Sequence, residues 1–337
     1  MENKARQKIA LKENKLPTYL TFTGNNHKKK VKRKTTNQTQ KKIIKTNEDK
    51  NKINNEIREE KNKTEVKTNS KSDEIKIEKK KSAYGGCCCS DRGIVGITNS
   101  SREVMVVDPL SEKVDIFGKL KIGTFKWTGG CEYKGKCYGF PRKENSLLVI
   151  DHGKREAFAQ KLNICYRGEH HYGGVLTPDG VVYQPPRNTD HVLKIDLNTY
   201  ETDKIDMPCI EGTCRYSSSV LHPSGEIYLI PEFGYRMAVL DPDTEEIHYF
   251  WEKFDHLVFG AVVGIDGNIY GYSKEGNGIL KVDVKNKKTE FIHEEIGNPD
   301  CYGYIVGING KIYGVPGGGN TIWEFDVRNQ TVRKLFE

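Results

Sequence analysis

The chain has 337 residues, 54 Lys or Arg against 46 Asp or Glu, nine Cys and a formal net charge of +8. No stretch of about 18 apolar residues is present to span a bilayer as a helix, and the N-terminal region lacks the apolar run of a secretory leader. Without an export signal the cysteines are expected as reduced thiols in the cytoplasm or nucleus; since no C-x-x-C pair occurs, neither a metal site nor a cofactor is expected.

The charge is unevenly spread. Residues 1–82 hold 25 Lys or Arg against 11 Asp or Glu, leaving 29 against 35 for residues 83–337. A segment so charged and so poor in apolar side chains cannot offset the entropy of folding, so 1–82 reads as a disordered Lys/Asn-rich basic tail and 83–337 as one folded domain. Within the tail, "HKKKVKRK" (27–34) gathers Lys28, Lys29, Lys30, Lys32, Arg33 and Lys34 in the form of a short nuclear-import signal. The same run suits an anionic surface. The tail's few aromatics, chiefly Tyr19 and Phe22, cannot stack bases along a strand, so no sequence-specific nucleic-acid recognition is expected. "DEIKIEKK" (73–80) alternates apolar and charged residues as an edge strand would.

From residue 84 onward the chain repeats. "GIVG", "KCYGFP", "VVYQPP", "EIYLIP", "NIYGYS" and "KIYGVP" share one pattern. Thirteen residues after Val95, Tyr138, Tyr183, Tyr228, Tyr270 and Tyr313 stands an Asp: Asp108, Asp151, Asp196, Asp241, Asp283 and Asp326. Successive Asp residues are 43, 45, 45, 42 and 43 apart, so insertions fall between fixed anchors. Each unit carries four strand-like bursts, for example "GGVLT", "VVYQP", "HVLKIDL" and "TDKID", with turn residues between them. Four short antiparallel strands at a period near 44 predict an all-β propeller of six blades, seven with one degenerate copy being the alternative. The repeated Tyr is expected between blades, and each Asp is expected to cap a tight turn rather than hold a metal or act as an acid.

"VLKIDLNTYETDKI", "ILKVDVKNKKTEFI" and "TIWEFDVRNQTVRKL" resemble YVTN and NHL-type β-propeller repeats, in which a V-x-x-I-D strand and a polar turn lead into the outermost strand. "NGKIYGVPGGG" also resembles kelch repeats, without their recurring downstream Trp. The resemblance spans residues 84–337 and implies a propeller; it implies no particular activity.

Positions where the copies disagree are the better functional candidates, because a scaffold residue should repeat. The divergence concentrates just before each inner strand and in the loops between second and third strands, two regions that should share one mouth of the central channel. Lys126, Trp127, His170, His171, Tyr172, Arg215, Tyr216, His256 and Asp300 are expected there, ringed by Arg142, Arg187, His191, Arg236 and Lys274. A basic, aromatic patch on an acidic domain suits a protein partner, since Trp, Tyr and Arg join apolar area to a polar handle. It also suits a small anionic ligand. His170 and His171, adjacent on a strand, are expected to point to opposite sides. His170, His171 or His256 as general base beside an Arg would fit a lyase or hydrolase, as in virginiamycin-type propeller lyases, yet no spacing here fixes a nucleophile or a triad.

Overall fold

A computed structural model describes residues 84–90, 93–207, 215–232, 236–253, 258, 260–273, 278–293, 301–316 and 322–335. The basic run 28–34, the segment 73–80, Lys274, His256 and Asp300 lie outside the described residues.

Twenty-four strands form six four-stranded antiparallel sheets, each made from consecutive strands. Blade 1 contains β1 (Tyr84–Ser90), β2 (Gly93–Thr98), β3 (Val104–Asp108) and β4 (Lys113–Phe117). Blade 2 has β5 (Trp127–Tyr133), β6 (Lys136–Pro141), β7 (Ser146–Asp151) and β8 (Glu156–Lys161). Blade 3 has β9 (Val175–Leu176), β10 (Val181–Gln184), β11 (His191–Asp196) and β12 (Thr202–Asp206). Blade 4 has β13 (Tyr216–Leu221), β14 (Ile227–Pro231), β15 (Arg236–Leu240) and β16 (Ile247–Lys253). Blade 5 comprises β17 (Val262–Val263), β18 (Ile269–Tyr272), β19 (Ile279–Asp283) and β20 (Lys288–Ile292). Blade 6 comprises β21 (Cys301–Val306), β22 (Ile312–Pro316), β23 (Trp323–Asp326) and β24 (Thr331–Lys334). The first strands meet one another from blade to blade (β1 with β5, β9 with β13, β13 with β17, β17 with β21), which makes them the inner strands of a six-bladed propeller.

The repeated Asp builds the turn before every outer strand. Its Oδ1 accepts a backbone N–H two or three residues on: Leu110 at 2.9 Å for Asp108, Lys154 at 3.1 Å for Asp151, Asn198 at 2.6 Å for Asp196. Asp243, Asn286 and Arg328 donate in the same way to Asp241, Asp283 and Asp326 at 2.8, 2.9 and 3.1 Å. Four residues after each Asp the chain turns left-handed: Glu112, Arg155, Tyr200, Glu245, Lys287 and Gln330 have φ between 52° and 62°. None of the six is glycine, so the Asp-held turn sustains a conformation that costs an L-residue about 1 kcal/mol.

Between these turns the core lies among blades rather than within one. Five apolar clusters each draw on two successive blades, as where Val220, Tyr228 and Ile230 of blade 4 pack on Ile269, Leu280 and Val282 of blade 5. The repeated Tyr138, Tyr183, Tyr228 and Tyr270 are buried in these seams, each ring contributing a gross burial energy of about 4–6 kcal/mol. Because a blade is covered on both faces, its middle strands are buried without alternation, as in β14, whereas outer strands such as β8 stay largely exposed. Glycine admits the closest approach of first and second strands: a Cβ at Gly130 would stand 2.4 Å from the carbonyl oxygen of Tyr138. No helix among the described residues is long and apolar enough to cross a membrane.

Candidate functional site

The second strand of blades 2 and 4 closes on a proline, and that of blade 3 is followed by one, each paired with the residue that opens the inner edge: Trp127 with Pro141, His171 with Pro186, Tyr216 with Pro231. This register places Lys126, His170 and Arg215 at equivalent positions, and sets Arg142, Arg187 and Glu232 just beyond the three prolines. Backbone bonds fasten the two rows together: Arg142 N–H donates to Lys126 O at 2.9 Å, Arg187 N–H to His170 O at 3.0 Å and Glu232 N–H to Arg215 O at 2.9 Å. The divergent positions of blades 2–4 therefore occupy equivalent places in their blades.

The feature at this mouth is a column of alternating rings and guanidiniums. Arg142 Cζ lies 4.4 Å from the centre of the Phe125 ring and 4.5 Å from that of Tyr172, and Arg187 Cζ lies 4.6 Å from the centre of the same Tyr172 ring. Such contacts are worth about 2 kcal/mol each when desolvated. Arg142 is 1% exposed and donates from Nη2 to Glu169 Oε2 at 3.0 Å; Lys143 Nζ and Arg187 Nε stand 3.7 and 3.9 Å from the same carboxylate. Arg187 Nη1 lies 2.5 Å from Glu232 Oε1 of blade 4. Three cations and two carboxylates thus join blades 2, 3 and 4, with the rings fixing the guanidinium planes and leaving their N–H edges to the carboxylates.

The remaining sequence-derived residues take different places. Lys126 is buried: its Nζ donates to the carbonyls of Ser101 (2.7 Å) and Lys121 (2.9 Å), lies 5.0 Å from the Trp127 ring, and has its pKa lowered by burial. Trp127 is core, with Nε1 donating to Ser146 O at 2.7 Å. Tyr216 is core as well, its hydroxyl donating to Arg236 O at 3.1 Å, while the Arg215 and Arg236 residues themselves are exposed.

His170 and His171 do not diverge. Only an isolated bridge links His171 to Pro186, and outside a regular strand the two rings lie side by side, Nδ1 to Nδ1 at 3.1 Å. One Nδ1 must donate and the other accept, so at least one of the two rings is neutral. Burial, followed by the charge of neighbouring His191, pushes His170 down to about 4, against a backbone hydrogen bond to Glu144 that acts the other way; burial also holds His171 well below the usual range. His171 Nε2 faces His191 O and Thr189 Oγ1, both at 3.3 Å. Tyr166 packs on His170, His171 and His191 and places its hydroxyl 2.5 Å from His191 Nε2; burial and Asp190 push that phenol up to about 12. Among the described residues no group of three or more His, Cys, Asp or Glu is arranged to hold a metal.

Sequence reasoning missed Phe125, Lys143, Tyr166 and Glu169. Glu169 stands directly before the histidine pair, and that position was the available signal; the partnership of Phe125 with Arg142 appears only once blades are in register.

The architecture is that of a β-propeller, and comparison with solved structures agrees. Virginiamycin B lyase from Staphylococcus aureus superimposes with a TM-score of 0.61 at 15% identity, over 74% of this chain and 83% of that one. Its catalytically inactive form with quinupristin gives 0.63 at 13%, over 75% and 85%. Hydrazine synthase from Kuenenia stuttgartiensis gives 0.54 at 14%, over 76% and 80%. At these identities the likeness is one of fold. No protein-family model and no curated protein sequence matches the chain.

Proposed function

We propose that the protein is a non-catalytic recognition propeller whose mouth face on blades 2–4 binds a protein partner. The supporting observation is the Phe125–Arg142–Tyr172–Arg187 column, a basic and aromatic element fixed across two blades, buried at Arg142 and Tyr172, partly exposed at Phe125 and Arg187, and flanked by the exposed Arg215 and Arg236. A rigid ring holds such loops at fixed separations, so loop composition sets partner choice. The run Lys28, Lys29, Lys30, Lys32, Arg33 and Lys34 would direct the chain to an import receptor or an anionic surface, in the nucleus or the cytoplasm. The test is quantitative capture followed by direct binding of the purified, identified partner, comparing the wild type with Arg187→Ala and Arg215→Ala proteins of matched thermal stability. Binding is expected to fall at least tenfold in each variant; unchanged binding in both would sink the reading.

A propeller enzyme at the same mouth, of lyase or hydrolase type, is the second reading. It draws on the fold likeness to the streptogramin lyases and on the histidines gathered around Tyr166. Against it, His170 and His171 are 1% and 0% exposed and spend their facing nitrogens on each other. Quinupristin, the compound in one of the similar structures, is the first substrate to try, and no consumption is expected.

A further inference from the structure

Glu169 stands where blades 2 and 3 converge their cations. Only Arg142 reaches it at hydrogen-bonding distance, 3.0 Å; Lys143 and Arg187 stand back at 3.7 and 3.9 Å. Burial alone would raise its pKa, but Arg142, Arg187 and Lys143 outweigh that and hold the carboxyl below its usual value. One carboxylate is thus shared by three cations and hydrogen-bonded to one of them.

The cations do not need Glu169 to hold their places. Arg142 is clasped between Phe125 and Tyr172, and Arg187 is held by Tyr172 and by Glu232, only 2.5 Å away. Glu169, by contrast, follows the exposed Arg167 and Gly168. Gly168 has φ +78°, and a Cβ there would meet nothing within 4 Å, so the chain beside Glu169 is not packed in. The next residue is tied down, His170 N–H donating to Arg142 O at 3.1 Å. The side chain of Glu169 can therefore turn to solvent without disturbing the column behind it.

We propose that Glu169 is an internal stand-in for an external carboxylate: an Asp or Glu side chain in an acidic segment of the partner protein settles among Arg142, Lys143 and Arg187 as Glu169 swings out. The proposal rests on the recognition reading above and names its partner's chemistry. Exchange of one carboxylate for another keeps the charge of the site constant, so the internal group acts as a competitor that lowers the apparent affinity by the fraction of time it occupies the site.

The test uses the full chain and an acidic hexapeptide, with hexaglutamine as the neutral control, and reads the peptide-dependent rise in melting temperature. Glu169→Gln is compared with Glu232→Gln, which adds the same charge to the same face but removes an anchor of Arg187. Any attraction of the peptide to residues 1–82 is common to all three proteins. Glu169→Gln is expected to bind roughly tenfold more tightly than wild type, and Glu232→Gln no more tightly. Equal gains in both variants, or none in either, would overturn the proposal. If Glu169→Gln melts well below wild type, Glu169→Asp keeps the charge but falls short of Arg142, and should show the same gain. Glutarate at matched carboxylate concentration separates the sources: equal stabilisation by glutarate would overturn the protein segment in favour of a small carboxylate. Partner binding that depends on Arg187 but ignores Glu169→Gln would remove this inference alone. A carboxylate response without any partner would remove the recognition reading.

Discussion

His170 and His171 share one N–H between facing nitrogens, and that arrangement is lost once both rings are protonated. The unfolded chain titrates its histidines near 6.5, and folded His170 titrates near 4, so between these values the unfolded state binds more protons. The stability contributed by neutral His170 is complete above about pH 6.5 and is lost as pH falls towards 4, by about 3 kcal/mol. Denaturant unfolding at a series of pH values should show this fall, and His170→Asn should flatten it. Lys126 makes a different case, because its ammonium meets two carbonyls and no solvent. Lys126→Met should destabilise the fold by about 2 kcal/mol by removing two charge-assisted hydrogen bonds, measured by the same unfolding, while leaving partner binding unchanged.

At the scale of the element, the six Asp-held turns each carry a non-glycine residue in a left-handed conformation. Glu112 is exposed, so Glu112→Gly relieves the strain without removing packing. The relief exceeds the entropy that glycine adds to the unfolded chain, and the melting point should rise, with a gain of about 0.5 kcal/mol. Gly130→Ala acts in the opposite sense. Its methyl group would face backbone that cannot yield, and a loss of about 1–3 kcal/mol is expected in thermal unfolding.

At the scale of the whole molecule, every blade is one uninterrupted stretch of chain, from inner strand to outer. Among the described residues no strand from one end of the sequence completes the blade at the other, and no backbone hydrogen bond joins blade 1 to blade 6. Amide exchange should accordingly be faster in these two blades than in blades 2–4, where backbone bonds and the arginine column run across the seams. Hydrogen-exchange mass spectrometry resolves the difference, and uniform protection around the ring would contradict it. The ring itself was legible in the sequence because Asp at a constant offset from Tyr, or from Val95 in the first copy, is a local signal repeated six times. The disagreement among copies pointed to Arg142, Tyr172 and Arg187, which the structure packs together. The fate of individual side chains was not legible. Nothing local in "FKWTGG" distinguishes a lysine that will be sealed under Ser101 O from one that will face solvent. The alternation rule failed at His170 and His171 because the pairing there is a lone bridge, and alternation requires a continuing strand.

The continuity of each blade also bears on how such a gene can change. A stretch of 42–45 codons, cut anywhere in the loops that lead from one blade to the next, encodes a complete sheet with its Asp-held turn and one half of each flanking seam. Copying or deleting that stretch in frame would alter the number of blades without leaving a strand unpaired. A propeller whose closing blade is assembled from both chain ends lacks this freedom at that blade, because an edit there must keep two distant pieces matched. Here every blade boundary is an equivalent place to edit, and the arginine column on blades 2 and 3 can be inherited intact while the rest of the circle is rewritten.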